Sequence, residues 1–312
     1  MPETLPYTEF SGTRAAGYVA APHTATIVNL AIRLGRPLLV EGEAGCGKTR
    51  LAGAIAEELG IGLTTMTVKS TSQARDLLYR FDALRRLQDA QDPQNRSARQ
   101  VHPYIDLEPL GHAIREGQPQ VVLIDEVDKA DIDFPNDLLD VLDRFEFDIE
   151  DLPRAEDEAC RQARGFGRHV TGPADGVRPI VLITSNREKQ LPEPFLRRCL
   201  YVQLDFPADH PAMLADIVRK NLDARSEQIS DALIAGAVER LCRIRERGRE
   251  LGMQKLPATS ELVDWVRVLH WQGRKAEAVS VDSLDAIDQA VLFKVRQDIE
   301  RYRARTSDEA AR

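Results

Sequence analysis

The stretch "LLVEGEAGCGKTRLA", residues 38–52, constrains this chain more than any other. An apolar run ends at Glu41, glycines stand at 42, 45 and 47, and a lysine and a threonine follow where the pattern turns helical. Gly42, Gly47, Lys48 and Thr49 fit G-x-x-x-x-G-K-[ST]. In that spacing the glycines let backbone N–H groups turn inward as an anion nest, and the helix that follows adds the positive end of its dipole. Gly42, Glu43, Ala44, Gly45, Cys46, Gly47, Lys48, Thr49 and Arg50 are therefore read as a phosphate-binding loop. Lys48 would reach the β- and γ-phosphates of a nucleotide as a point charge, and the Thr49 hydroxyl would take a Mg²⁺ coordination position. The flanks agree: "RPLLVEG" reads as a buried strand and "KTRLAGAIAEELG" as a helix ending at Gly60. Cys46 reads as a small residue that fits the loop rather than as an oxidisable thiol.

Downstream, "PQVVLIDEVDKADIDFPNDLLDVLDRFEF" opens with a buried strand that ends on two adjacent carboxylates, Asp125 and Glu126. Asp125 would hold Mg²⁺, and Glu126 would polarise the water that attacks the γ-phosphate. The D-x-x-G and N-K-x-D signals of a GTP switch are absent, which favours ATP. A third strand, "RPIVLITSN", ends on Asn186, an amide able to hydrogen-bond water and phosphate together. In "LPEPFLRRCLYVQLDF" two prolines frame a short helix carrying Arg197 and Arg198 before another strand. One of these arginines, Arg198 for preference, is expected to act as a finger on the ATP of a neighbouring subunit.

The chain has 312 residues, 43% of them apolar, enough for one large and one smaller core. The reading divides it into a leading segment over 1–22, an α/β ATPase domain with a parallel central sheet over 23–206, and a small all-α lid over 207–312, where apolar residues recur at three-to-four-residue spacing. Residues 72–91, "SQARDLLYRFDALRRLQDAQ", are expected to form an extra amphipathic helix. No run approaches the roughly eighteen apolar residues of a membrane span, and the N-terminus lacks a signal-peptide pattern, so a cytoplasmic location without membrane contact is expected. The four cysteines lack C-x-x-C spacing and the histidines lack H-x-x-x-H spacing, which argues against zinc or a disulfide framework. A net charge of −8 disfavours nucleic acid as a partner, and few aromatics interleave the basic stretches "CRQARGFGRH" and "RLCRIRERGR", which read as solvated faces.

The order of phosphate loop, Asp-Glu strand, Asn186 and Arg198 resembles the AAA+ ATPases. "GRPLLVEGEAGCGKT", "VLIDEVDKADIDFPNDLLDVLD", "ITSNREKQLPEPFLRRC" and "LPATSELVDWVRVL" are similar to their MoxR group, and "AAGYVA" with "EGEAGCGKT" to its carbon monoxide dehydrogenase maturation (CoxD-like) branch. The resemblance makes 42–49 Walker A, Asp125 and Glu126 Walker B, Asn186 sensor 1 and Arg198 the finger. It implies a homo-hexameric ring, a partner with a von Willebrand factor A (VWA) domain, and remodelling or activation of a client metalloenzyme. Two departures stand out. The position of a sensor-2 arginine matches Ser260, with Lys255 or Arg267 as open substitutes, and the segment 151–178 is longer than the hairpin of close relatives. A nucleic-acid-remodelling ATPase and a nucleotide-gated scaffold are the alternatives; an intact Glu126 speaks against the scaffold, which would need no catalytic base.

Overall fold

A computed structural model describes residues 9–13, 15, 18–92, 96–207, 210–223, 228–281 and 284–310. Parts of the expected leading segment, Ala16 and Gly17 of "AAGYVA" among them, lie outside the described residues. In chain order the elements are α1 (Pro22–Leu34), β1 (Leu38–Gly42), α2 (Lys48–Leu59), β2 (Gly62–Thr67), β3 (Tyr79–Phe81), α3 (Ala83–Ala90), β4 (Ile105–Leu107), α4 (Pro109–Glu116), β5 (Gln120–Asp125), α5 (Asp133–Arg144) and β6 (Glu146–Asp148). There follow α6 (Asp157–Arg164), β7 (His169–Thr171), β8 (Ile180–Ser185), α7 (Glu193–Arg198), β9 (Leu200–Leu204), and the helices α8 (Pro211–Asp223), α9 (Asp231–Glu250), α10 (Thr259–Trp271), α11 (Ala286–Leu292) and α12 (Arg296–Ala310).

The apolar runs become the middle of a five-stranded sheet in the order β2-β5-β8-β1-β9, with β2/β5, β5/β8 and β8/β1 paired in parallel. Parallel strands are covered on both faces, so they carry unbroken apolar sequence. Val121 to Ile124 are fully buried, and every position of β8 is buried. The register pairs Glu41 with Ser185 and Thr67 with Asp125. The strand ending beside Asn186 thus lies between the strand that feeds the phosphate loop and the strand that ends on Asp125. Loops leaving the carboxyl ends of such strands are where ligands bind in open α/β sheets.

The chain forms two compact units. One gathers Pro22–Glu41 and Ile55–Gln203 with the described residues up to Ser11, and the other gathers Gly42–Ala54 and the chain from Leu204 onward with the described residues of 12–21. In the second unit, Trp265, Leu241, Ile244 and Leu262 are fully buried at the centre of an all-helical core. Its buried carboxylates are satisfied: Asp288 accepts from Trp265 Nε1 at 2.8 Å and from Arg274, and Asp298 accepts from the amides of Gln254 and Lys255. Among the described residues no helix is long and apolar enough to cross a membrane.

Residues 72–91 correct the sequence reading. They do not make one helix; Ala74–Leu77 is a 3-10 turn, β3 pairs antiparallel with β4, and only α3 is α-helical. Burial of Leu77, Leu78 and Tyr79 overrides the helical periodicity: the Tyr79 ring stacks on Phe147 at 6.4 Å, and its hydroxyl donates to Asp151. Asp82 then starts α3 afresh by accepting from the Arg85 amide at 2.9 Å.

The long segment 151–178 folds into the core of its own unit. It contains α6, with Cys160 fully buried, and β7, which pairs with β6. Glu156 anchors it by accepting from the amides of Val101 (2.7 Å) and His102 (3.1 Å) and contacting His102 Nδ1 at 3.2 Å. Burial works against the Glu156 charge, but these donors outweigh it and hold the carboxyl below its ordinary range. A carboxyl whose folded pKa is depressed contributes stability above its unfolded value, near 4.3, and loses it as pH falls through the folded value. Glu156→Ala is therefore expected to cost about 1.5–3 kcal/mol at pH 7, the worth of hydrogen bonds to a charged group. Urea unfolding should show the gap from wild type narrowing as pH drops below about 4.

Candidate functional site

The phosphate loop needs backbone shapes that side chains resist, and glycine supplies them. Gly45 and Gly47 have φ of +82° and +99°. A Cβ on Gly42 would stand 2.3 Å from the Leu204 carbonyl oxygen and 2.8 Å from Cys46 Sγ, so the loop closes too tightly there for any side chain. Lys48 is buried, and its Nζ donates to the carbonyls of Gly42 (2.8 Å) and Glu43 (3.0 Å), which draws the loop around the ammonium. Glu43, Ala44, Gly45, Thr49 and Arg50 are exposed. α2 starts at Lys48, as the motif requires, and Gly60 ends it with φ +66°. Burial pushes the Cys46 thiol up, which leaves little reactive thiolate. A glycine-lined nest with a buried lysine fits the phosphates of a nucleotide.

A carboxylate group is built where β5 and β8 end. Thr184, fully buried on β8, donates through Oγ1 to Asp125 Oδ1 at 2.5 Å and accepts from the Glu126 amide at 2.9 Å. Glu126 sits at φ +63°, a left-handed conformation uncommon for glutamate. Its two oxygens are both engaged: Lys129 Nζ lies 2.5 Å from Oε2, and Asn186 Nδ2 donates to Oε1 at 3.4 Å. The Lys129 ammonium is held above its ordinary pKa chiefly by the hydrogen bond it donates to Glu126. Asp128, buried to 1% exposure, ties the two strand ends together, because its Oδ2 accepts from the amides of Asn186 (3.0 Å) and Glu188 (2.8 Å). Among the described residues its Oδ1 has no hydrogen-bond partner.

The structure thus brings Asp125, Glu126 and Asn186 into one hydrogen-bonded group. Arg198 belongs to a different contact set: its Nε pairs with Asp143 of α5 at 2.5 Å, its Nη1 donates to the Pro194 carbonyl, and 41% of its side chain is exposed. Arg197 pairs with Glu193 and is 76% exposed. Arg36 fixes the end of α7 by donating to the carbonyls of Arg197 and Arg198. No carboxylate-histidine-cysteine cluster of three or more that could hold a metal occurs among the described residues. Thr49 carries a hydroxyl and Asp125 a carboxylate, each a donor type that Mg²⁺ takes.

For the unassigned lid contact, Ser260 donates to Glu261 Oε2 and stands so close to the phosphate loop that a Cβ on Gly45 would lie 2.7 Å from its Oγ. Arg267 lies over the Trp271 ring and 3.6 Å from Asp264, and the Lys255 amide donates to Asp298. A charged side chain that reaches the loop is Arg245 of α9, whose Nη2 donates to Glu43 Oε2 at 3.1 Å. Sequence reasoning missed it because "RLCRIRERGR" has the composition of a solvated basic face. Asp128 and Lys129 were missed as well; the signal was their place within "DEVDK", immediately after the strand.

Residues 37–199, more than half of the chain, match the AAA domain family in its dynein-related subfamily. Among solved structures the chain is similar to the Thermotoga maritima RuvB Holliday junction branch migration motor at 15% identity and TM-score 0.43, covering 87% of this chain and 74% of that one. It is also similar to domain III of the Thermotoga maritima replication initiation protein DnaA, at 14% identity and TM-score 0.41, covering 88% and 93%. NtrX from Brucella abortus, solved in complex with ADP, matches at 15% identity and TM-score 0.47, covering 91% and 59%. No curated protein sequence matches the chain.

Proposed function

We propose that this chain, which belongs to the AAA domain family in its dynein-related subfamily, is a Mg²⁺-dependent ATPase that drives the remodelling or activation of a client protein. The observation that carries the hydrolytic part is the grouping at the end of β5, where Glu126 is held by Asn186 and Lys129 beside an Asp125 fixed by Thr184. Asp125 and the Thr49 hydroxyl would hold Mg²⁺, which supplies charge neutralisation on the β- and γ-phosphates. Gly42 to Arg50 bind the phosphates, with Lys48 turning its ammonium from the loop carbonyls to the nucleotide. Glu126 takes the proton of the attacking water, and Asn186 orients that water through the same amide that now touches Glu126. Lys129 must release Oε2 for the carboxylate to act as base.

The resemblance to the MoxR group supports the rest of the reading: a homo-hexameric ring in the cytoplasm, with Arg198 as finger between subunits, a VWA-domain partner, and a metalloenzyme client that needs cofactor maturation. Steady-state turnover tests it. ATPase activity should be low for the chain alone, rise when a VWA-domain protein is added, and stay flat with single-stranded or duplex DNA. Purely phosphate-directed DNA contact should fade steeply with salt. DNA-stimulated turnover that survives physiological salt, without any response to the VWA protein, would replace this reading with nucleic-acid remodelling.

A further inference from the structure

Arg245 is 1% exposed, although arginine is rarely so buried. Its guanidinium lies 3.8 Å from the centre of the Phe206 ring, Nη1 donates to the Pro257 carbonyl at 2.5 Å, Nε has no hydrogen-bond partner among the described residues, and Nη2 reaches Glu43 at 3.1 Å. Glu43 is the second residue of the phosphate loop, and its side chain is 56% exposed. The pair joins a fixed, desolvated cation to a carboxylate that the sequence places inside an anion-binding loop. Burial weighs against the Arg245 charge and holds its pKa below the ordinary range, and the bond to Glu43 offsets only part of that. A buried cation deprived of its partner is costly, so the two groups hold each other in place.

A carboxylate in a phosphate loop repels the ligand unless it is neutralised. The Glu43 backbone carbonyl is meanwhile one of the two that Lys48 caps, so the set of its main chain bears on the lysine as well. We propose that Arg245 is a positioning residue of the nucleotide site, which neutralises Glu43 and fixes the loop so that the amides and Lys48 meet a polyphosphate without opposing charge. This rests on the reading that the loop holds ATP. Arg245 acts through Glu43 rather than on phosphate. The loop therefore has a charge balance that its glycines and lysine alone do not reveal.

The test keeps Arg245 intact first, because the Glu43 side chain is 56% exposed on the loop whereas Arg245 lies in the helical core. Glu43→Asp keeps the charge but draws it back from Nη2, whereas Glu43→Gln removes the charge and keeps the length. In the full-length chain, displacement of a fluorescent ATP analogue should show Glu43→Asp weakened by about tenfold, the scale of one unscreened charge near a phosphate, and Glu43→Gln within about threefold of wild type. A merely structural ion pair predicts equal losses for the two variants, since Glu43→Gln breaks the pair as surely as Glu43→Asp does. Arg245→Gln should bind ATP worse than the double variant Arg245→Gln/Glu43→Gln, which carries neither charge. If Glu43→Gln is at least as harmful as Glu43→Asp, the proposal is overturned while nucleotide binding stands. A wild-type chain that binds no nucleotide overturns both.

Discussion

Lys48→Ala is expected to abolish measurable ATP binding, while Glu126→Gln binds ATP like wild type and fails to hydrolyse it. The two outcomes differ because the residues work in different places. Lys48 Nζ makes two hydrogen bonds from a buried position, and each charge-assisted bond it would transfer to phosphate is worth about 1.5–3 kcal/mol, so losing both lowers affinity ~100-fold or more. Alanine also strips the Gly42 and Glu43 carbonyls of their donor and loosens the loop itself. Glutamine at 126 keeps one carbonyl oxygen to accept from Asn186 or Lys129 but has no basicity to offer water, so turnover should fall by about 10²–10⁴, the usual contribution of a positioned general base. Equilibrium binding of a fluorescent ATP analogue and phosphate release, measured on both variants, separate the effects. Tight binding by Lys48→Ala would sink the assignment of the loop, and wild-type turnover by Glu126→Gln the assignment of the base.

Much of this was legible in the sequence because the relevant signals are local. The apolar run into Gly42, the glycine spacing and the amphipathic run to Gly60 are each sufficient to place β1, the loop and α2. Four buried residues running into Asp125 and Glu126 likewise announce β5 and its end. What the sequence could not show depends on partners distant along the chain. Tyr79 leaves a helical pattern because Phe147 and Asp151 await it, and Arg245 leaves a basic surface pattern because Phe206, Pro257 and Glu43 converge on it. Asp128 reads as one more loop acid, yet it sets the Asn186 turn through two backbone amides contributed by a segment nearly sixty residues on.

Arg198→Ala is expected to keep ATP binding and lose most hydrolysis, with activity returning in part when it is mixed with Glu126→Gln. The argument starts from α7, a six-residue helix begun by Pro192 and held at its far end by Arg36. This leaves Arg198 with a defined base and a half-exposed head. Within its own chain that head meets Asp143 and the Pro194 carbonyl, and neither Glu126 nor Asn186 is among its hydrogen-bond partners. An arginine so placed can serve a phosphate on an adjoining subunit by exchanging Asp143 for the stronger anion. Finger arginines are worth about 10³–10⁵ in rate, so the single variant should be plainly defective. If the proposed ring forms, an Arg198→Ala subunit in a mixed ring retains its own Glu126 and should receive an arginine from a Glu126→Gln neighbour, which would restore sites that neither variant forms alone. Arg197→Ala should be milder, since that side chain is largely solvated and pairs with Glu193 one turn earlier. Rings shown to exchange subunits, yet inactive at every mixing ratio, would mean that Arg198 does not act across a boundary.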